Sequence, residues 1–146
     1  MKILVLHGPN LNLLGKRNVM HYGNLTQKEL FQMLKEQFPN VSFDFYQSNH
    51  EGQLIDWIQT ADHFYNGLLI NPGAYTHTSV AIRDALEVTQ CLKVAVHLSD
   101  ITKRENFRQT DYVQAVCDQT FMGKQAKSYV EAIAWMIEQP PKKVNL

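Results

Sequence analysis

Polar side chains that can move protons or orient a small molecule recur after short apolar runs of the chain. They are imidazoles, carboxamides, a hydroxyl and a phenol, contributed by Asn10, Tyr22, Asn71, His77, His97 and Ser99. An imidazole can act as a general acid or base near neutral pH, and a phenol can act as a base once it is ionised. Each such residue alone is more often a turn, cap or packing residue, but together they predict acid–base chemistry on a small molecule.

The phenol of Tyr22 is the least usual of these groups. A phenol has a pKa of about 10, so it is a weak base in water unless a neighbouring cation favours its ionised form. Arg17 precedes Tyr22 by five residues in the same polar segment and is the predicted source of that cation. Closure of this segment over a ligand would exclude water and strengthen the attraction between the two groups.

Other reaction classes lack their sequence patterns. The chain has no GxSxG, Walker or GxGxxG motif, and His7, His77 and His97 lack the HxH or HExxH spacing of metal ligands. We therefore expect no metal and no site for nucleotide phosphates. A flavin-binding module is an alternative that only the predicted fold suggests.

Charge and cysteine content limit the kinds of binding partner and the cellular compartment that we expect. The 146 residues include 14 basic and 14 acidic side chains, so no basic surface for nucleic acid or an anionic membrane is predicted. Cys91 and Cys117 lack the spacing of a disulfide framework or a zinc site and are expected to be reduced thiols. The apolar run Ile3–Leu6 is too short for a signal peptide or a membrane span, so we expect a cytoplasmic protein.

Short apolar runs alternate with longer amphipathic segments, which predicts a single α/β domain over residues 1–146. Runs rich in Val, Ile and Leu are typical of parallel strands covered on both faces. Five such strands favour a flavodoxin-like open parallel sheet of order 2-1-3-4-5 with helices on both faces. The predicted strands are Lys2–Leu6, Val41–Tyr46, Gly67–Ile70, Leu92–Leu98 and one within Tyr112–Met122.

Capping patterns and helical apolar stripes predict the helices between these strands. Thr26 and Glu29 have capping-box spacing before one helix, and Ser48 and Glu51 repeat it before the next. The remaining stripes predict helices over residues 80–85 and 126–137.

Most of the candidate residues follow the carboxyl ends of predicted strands. Open α/β sheets bind ligands at this edge, near the point where the strand order reverses, so these residues are expected to meet in one crevice. Residues 14–24 have no helical or strand period. Their position after the first strand predicts a lid over the crevice, with a plain solvated loop as the alternative.

Long motifs occur in order along almost the whole chain: GPNLNLLG at 8–15, QSNHEG at 47–52, NPGAYTHTSVA at 71–81, VHLS at 96–99 and RENFR at 104–108. Several motifs in one order are far more specific than any single motif. In this pattern the chain resembles the type II 3-dehydroquinate dehydratases. The resemblance implies a flavodoxin-like subunit, a homo-oligomer that is a dodecamer built from trimers, and dehydration of 3-dehydroquinate to 3-dehydroshikimate without metal or organic cofactor.

The resemblance also implies roles for individual residues. Tyr22 would be the base that takes a proton from the carbon beside the ketone, with Arg17 supporting it. Asn10 would hold a water that stabilises the enolate, and His97 would be the acid for the departing hydroxyl. The implied substrate-binding residues are Asn71, His77, Leu98, Ser99, Arg108 and, from a neighbouring subunit, Asp84.

Some positions depart from the family's usual pattern. Ala95 stands where the family usually has a Glu that orients the histidine, and Asp100 is a candidate substitute partner for His97. Asp111 replaces a usual Ser, and Asn18-Val19 replaces an acidic residue and Pro, which predicts a looser lid. We therefore expect slower dehydration than with the Glu present. The alternative is an impaired relative that binds dehydroquinate-like acids without efficient turnover.

Overall fold

A five-stranded parallel sheet forms the centre of the computed structural model, which describes residues 1–145. The strand order is β2-β1-β3-β4-β5, and every neighbouring pair is parallel. This confirms the predicted flavodoxin-like sheet. The strands are β1 (Lys2–His7), β2 (Ser42–Gln47), β3 (Gly67–Asn71), β4 (Leu92–His97) and β5 (Gln119–Met122).

Helices cover both faces of the sheet, as predicted. α2 and α5 pack on one face, and α3 and α4 pack on the other. A one-turn helix, α1, lies in the segment predicted to be the lid. The bounds are α1 (Val19–Tyr22), α2 (Gln27–Gln37), α3 (Glu51–Phe64), α4 (Val80–Val88) and α5 (Ala126–Glu138).

Strand alternation divides the core into two layers. In β1, Ile3 and Val5 face α2 and α5, whereas Leu4 and Leu6 face α3 and α4. Strands covered on both faces therefore have near-continuous apolar sequences. The same alternation places Ala95, and with it the last residue of β4, on the side of α3 and α4.

The two predicted capping boxes have different outcomes. The Thr26 hydroxyl accepts a hydrogen bond from the Glu29 backbone N–H at 3.1 Å and caps α2. The predicted capping box at Ser48 and Glu51 is wrong, because α3 begins at Glu51 itself and its N-cap residue is His50. The Ser48 hydroxyl instead accepts from the His50 N–H at 2.9 Å and closes a turn ahead of the helix.

The fifth strand lies at the end of the predicted segment Tyr112–Met122. Only Gln119–Met122 pairs with β4, and the preceding segment forms turns and a short 3₁₀ helix, Gln114–Val116. The Asp111 carboxylate accepts from the backbone N–H groups of Val113 and Gln114, at 3.0 and 3.1 Å. These bonds satisfy the local backbone in a turn, so the chain does not need a strand partner there.

Two further findings concern the described residues 1–145. Cys91 and Cys117 are both free thiols, Cys91 buried and Cys117 half-buried. No helix in this range is long and apolar enough to cross a membrane.

Candidate active site

The loops after β1 and β3 meet at the point where the strand order reverses. The Gly8 backbone N–H donates to the Asn71 carbonyl at 2.8 Å. A Cβ at Gly8 would lie 2.2 Å from the Pro72 carbonyl oxygen, so only glycine permits this approach. Gly73, with φ of 60°, packs in return against Pro9. The two glycines therefore bring both loops to the floor of one crevice.

The loop after β2 holds Asn10 in an unusual backbone conformation. Asn10 has φ of 68°, in the left-handed region that asparagine tolerates better than most residues. Its backbone N–H donates to the Asn49 side-chain oxygen at 3.0 Å. The Gln47 amide in turn donates to that same Asn49 oxygen at 3.1 Å. The ends of β1 and β2 therefore fix the position of Asn10 together.

A cavity of about 150 Å³ remains between this floor and the lid. Its volume is several times the roughly 30 Å³ that one water occupies in the liquid, so it can admit a small molecule. Every predicted site residue except Asp84 lines it. Three of the lining side chains are arginines, Arg17, Arg104 and Arg108, so the cavity suits an anionic ligand.

The Tyr22 phenol oxygen lies between two guanidinium groups. Arg17 Nη2 donates to it at 2.9 Å, and Arg104 Nη1 donates to it at 2.8 Å. The Arg17 guanidinium also lies over the ring, 3.9 Å from its centroid. Two cationic donors on one oxygen stabilise negative charge there. The sequence predicted the contact with Arg17 but not the one with Arg104, whose only signal was its place in the RENFR motif.

The lid is closed over the cavity and held at both ends of α1. Asn18 caps α1 by accepting from the Met20 backbone N–H at 2.9 Å. The Gln125 amide, ahead of α5, donates to the Val19 carbonyl at 3.2 Å. Tyr22 packs against the core layer beneath α5. The predicted lid segment thus lies over the crevice, and α1 is a helical turn that periodicity did not predict.

His97 ends β4 and faces a carboxylate other than the predicted one. Its Nε2 lies 3.8 Å from Asp111 Oδ2, and the two side chains are only 5% and 7% exposed. Asp100, the predicted partner, instead caps a 3₁₀ helix by accepting from the Thr102 N–H at 3.0 Å, so that prediction is wrong. Burial alone would raise the pKa of Asp111, but His97 and the hydrogen bond from Thr76 lower it to about 2.

His77 and Arg108 are each held by a neighbouring residue. His77 Nδ1 lies 2.7 Å from the Thr110 carbonyl oxygen, so this nitrogen carries a hydrogen and donates it to the carbonyl. Arg108 Nε lies 2.7 Å from Glu105 Oε2, in an ion pair whose arginine is 19% exposed. Both side chains are therefore oriented before a ligand binds.

Asn71 belongs to a buried polar chain that the sequence did not reveal. Its side-chain nitrogen donates to the Tyr129 hydroxyl at 2.8 Å, and Tyr129 Oη lies 2.9 Å from His7 Nε2. Burial lowers the pKa of His7 to about 4, and the neighbouring Gln27 side chain opposes only part of this shift. His7 is therefore neutral and accepts from Tyr129. Among residues 1–145, no three potential ligands are grouped to hold a metal.

The remaining predicted residues have distinct positions. The Ser99 hydroxyl lies 3.4 Å from Arg104 Nη1, and the Leu98 carbonyl accepts from the Gln125 N–H at 2.9 Å. Asp84 lies outside the cavity on an exposed face of α4, where it pairs with Arg83 at 2.9 Å. Its predicted role at a neighbouring subunit's site stays a prediction.

Acid–base side chains and three arginines at the switch point of an open parallel sheet define a flavodoxin-like α/β protein whose cavity suits a small anion. The family model described as "Dehydroquinase class II" matches residues 1–137. The chain belongs to this family.

Individual relatives agree with that assignment. The 3-dehydroquinate dehydratase of Thermotoga neapolitana is 46% identical over 138 residues, which are 93% of this chain and 94% of that protein. The protein of the same name from Bartonella henselae is 47% identical over 141 residues, 95% of each chain. The crystal structure of type II dehydroquinase from Butyrivibrio crossotus has a TM-score of 0.91 and 45% identity, covering 94% of this chain and 98% of that one.

Proposed function

We propose that this protein is a hydro-lyase that dehydrates 3-dehydroquinate to 3-dehydroshikimate, with Tyr22 as the base and His97 as the acid. The observation that carries the assignment of roles is the Tyr22 oxygen held by Arg17 and Arg104 at 2.9 and 2.8 Å. A phenol that stays neutral gains little from two cationic hydrogen-bond donors. The same arrangement suits a phenolate that accepts a proton.

The reaction proceeds by anti elimination through an enolate. The Tyr22 phenolate takes a proton from the carbon beside the ketone, and the electron pair of that C–H bond forms the enolate. A water held by Asn10 donates a hydrogen bond to the enolate oxygen. The enolate then expels the hydroxyl group, which takes a proton from His97 and leaves as water, and a conjugated enone remains.

The substrate is held by groups around these two residues. Asn71, Ser99 and the backbone N–H groups of Leu98 and Ser99 bind its carboxylate. His77 and Arg108 contact the ring hydroxyls. The pre-oriented His77 imidazole and the paired Arg108 guanidinium support this assignment, because neither must be ordered when the ligand binds.

We also propose that the protein assembles into a homo-oligomer, a dodecamer built from trimers. Asp84 of one subunit then reaches the site of its neighbour. The observation that supports this placement is the exposed position of Asp84, whose side chain is 61% exposed and outside its own subunit's cavity.

The rival function is a relative that binds dehydroquinate-like acids without efficient turnover. Its support is Ala95, which is fully buried in the core layer of α3 and α4 and brings no carboxylate to the crevice. Calorimetric binding of 3-dehydroquinate without formation of product would favour this rival.

A dehydration assay with the purified protein tests the proposed function. The enone product absorbs in the ultraviolet, so its formation can be followed directly. Because general acid–base groups contribute about 10²–10⁴-fold to a rate, we expect Tyr22→Phe to lower kcat by that order. Tyr46→Phe, on the edge strand β2 and outside the cavity, is the matched control and should leave kcat unchanged. Full activity of Tyr22→Phe would exclude this base.

A further inference from the structure

A buried carboxylate–imidazole pair lies directly behind the cavity, formed by Asp111 and His97. Their facing atoms, Oδ2 and Nε2, are 3.8 Å apart, and each side chain is less than a tenth exposed. Neither atom has a hydrogen-bond partner in the described part of the chain. Burying two polar atoms that face only each other destabilises the folded protein unless the two groups attract each other.

Asp111 is held so that one oxygen points to the imidazole. Its Oδ1 accepts from the Thr76 hydroxyl at 2.7 Å and from the Val113 and Gln114 backbone N–H groups at 3.0 and 3.1 Å. Because these three donors all bind Oδ1, Oδ2 is left for His97. The turn that precedes β5 therefore also orients the Asp111 carboxylate towards His97.

The cavity next to His97 is lined by several positive charges. Its lining includes the guanidinium groups of Arg104 and Arg108 and, on the lid, Arg17, along with the ionisable side chains of Tyr22 and His77. Like charges in a confined site disfavour a further cation. A histidine that donates a proton from its charged form therefore needs a counter-charge on its far side.

Other sources of that counter-charge are absent among the described residues around His97. Ala95 lies two residues earlier on the same side of β4 and carries no carboxylate. Asp100 is turned away and binds Thr102. Asp111 is ionised at neutral pH, because His97 and Thr76 hold its pKa at about 2 against the effect of burial.

We propose that Asp111 is the positioning residue of the acid: it fixes the hydrogen of His97 on Nε2 and stabilises the imidazolium that donates from Nδ1. This inference rests on the proposed function for its catalytic meaning. In the step, the Nδ1–H bond and the substrate's C–O bond break, and the departing hydroxyl leaves as water. The neutral ring retains its Nε2–H towards Asp111, whose carboxylate stays ionised throughout.

The test is Asp111→Asn, which keeps the size of the side chain and an oxygen that can accept from Thr76, Val113 and Gln114. Because the carboxylate is lost, we expect kcat to fall about ten- to a hundredfold, less than the roughly 10²–10⁴-fold that a general acid itself contributes. KM should change much less, since Asp111 does not line the cavity. The midpoint of thermal unfolding should stay near that of the unchanged protein. Asp100→Asn is the matched control and should alter neither kinetic constant.

A spectroscopic readout separates this inference from the proposed function. Nitrogen-15 NMR of labelled histidine reports which ring nitrogen of His97 carries the hydrogen, and we expect Nε2 to carry it in the unchanged protein and to lose that preference in Asp111→Asn. A protein that makes no enone but shows this signature would overturn the proposed function and leave the pairing intact. An unprotonated His97 Nε2 in the unchanged protein, or an unaltered kcat in Asp111→Asn, would overturn the role of Asp111.

Discussion

The two arginines around Tyr22 belong to different parts of the molecule. Arg17 and Tyr22 are both on the lid, whereas Arg104 follows the 3₁₀ helix after β4 and is only 11% exposed. Arg17 therefore shares its segment with the phenol, whereas Arg104 reaches the phenol from a different loop. If the lid opens, we expect Tyr22 to keep its contact with Arg17 and to lose the one with Arg104, so both cationic donors would meet the phenol oxygen only in the closed arrangement.

We expect Arg17→Gln and Arg104→Gln each to lower kcat more than about tenfold, since each removes one charge-assisted hydrogen bond from the base. Steady-state dehydration kinetics measure the effect. Lys103→Gln is the control, because Lys103 is 81% exposed and its removal changes the charge near the cavity without touching Tyr22. If Arg104→Gln retained full kcat, the second guanidinium would have no part in the reaction.

His7, in the buried polar chain behind Asn71, makes the stability of the protein depend on pH. Burial lowers its pKa from 6.5 to about 4, so the folded protein resists a proton that the unfolded chain accepts. Lowering the pH from about 6.5 to about 4 should therefore reduce the free energy of unfolding, by up to about 3 kcal/mol from this residue.

We expect His7→Gln, which cannot titrate, to lose less stability than the unchanged protein over that pH range. Denaturant unfolding at a series of pH values measures the difference in slope. His63→Gln, at an exposed position near the end of α3, controls for loss of a histidine outside the network. Equal slopes for His7→Gln and the unchanged protein would contradict a neutral buried His7.

At the scale of elements, the lid is fastened by the segment that leads into α5. Gln125 has φ of 53° and ψ of −133°, a conformation that suits glycine, and its amide binds the Val19 carbonyl on α1. A residue that is not glycine holds such a conformation at a cost of about 1–3 kcal/mol. The strained residue is thus the one that reaches the lid.

We expect Gln125→Gly to unfold with a free energy about 1–2 kcal/mol higher than Gln125→Ala, because only glycine relieves the backbone strain. Both variants lose the bond to Val19, so both should exchange the amide hydrogens of residues 19–23 faster than the unchanged protein. Denaturant unfolding and hydrogen exchange provide the two measurements. Equal stability of the Gly and Ala variants would mean that position 125 carries no strain.

At the scale of the whole molecule, the proposed assembly makes each site depend on two subunits. Tyr22→Phe disables a subunit's own base, and Asp84→Ala would disable the site of its neighbour. When the two variants are refolded together in equal amounts, random assembly should restore about a quarter of the unmutated activity, since half the subunits keep Tyr22 and half of those gain an intact neighbour.

Light scattering on the same samples gives the mass of the assembly. Each variant refolded alone controls for residual activity. A mixture no more active than the mean of the two variants would show that Asp84 does not act across a subunit boundary.

The sequence by itself determined the fold and the location of the candidate site. Apolar runs such as Lys2–Leu6 have the composition of strands covered on both faces, and polar residues after parallel strands must gather at one edge. Tyr22 with Arg17 was predictable for a similar reason, because residues that are close in one loop remain close in the folded chain. The long ordered motifs were sufficient to indicate the family.

Only the tertiary structure decided which side chains meet across different loops. Arg104 reaches Tyr22 from 82 residues away, and Tyr129 joins His7 from 122 residues away. His97 faces Asp111 and not the nearer Asp100, because Asp100 satisfies the backbone of its own 3₁₀ helix. Periodicity describes the faces of helices and strands, but loops have no period, so their contacts depend on where the packed core places each loop end.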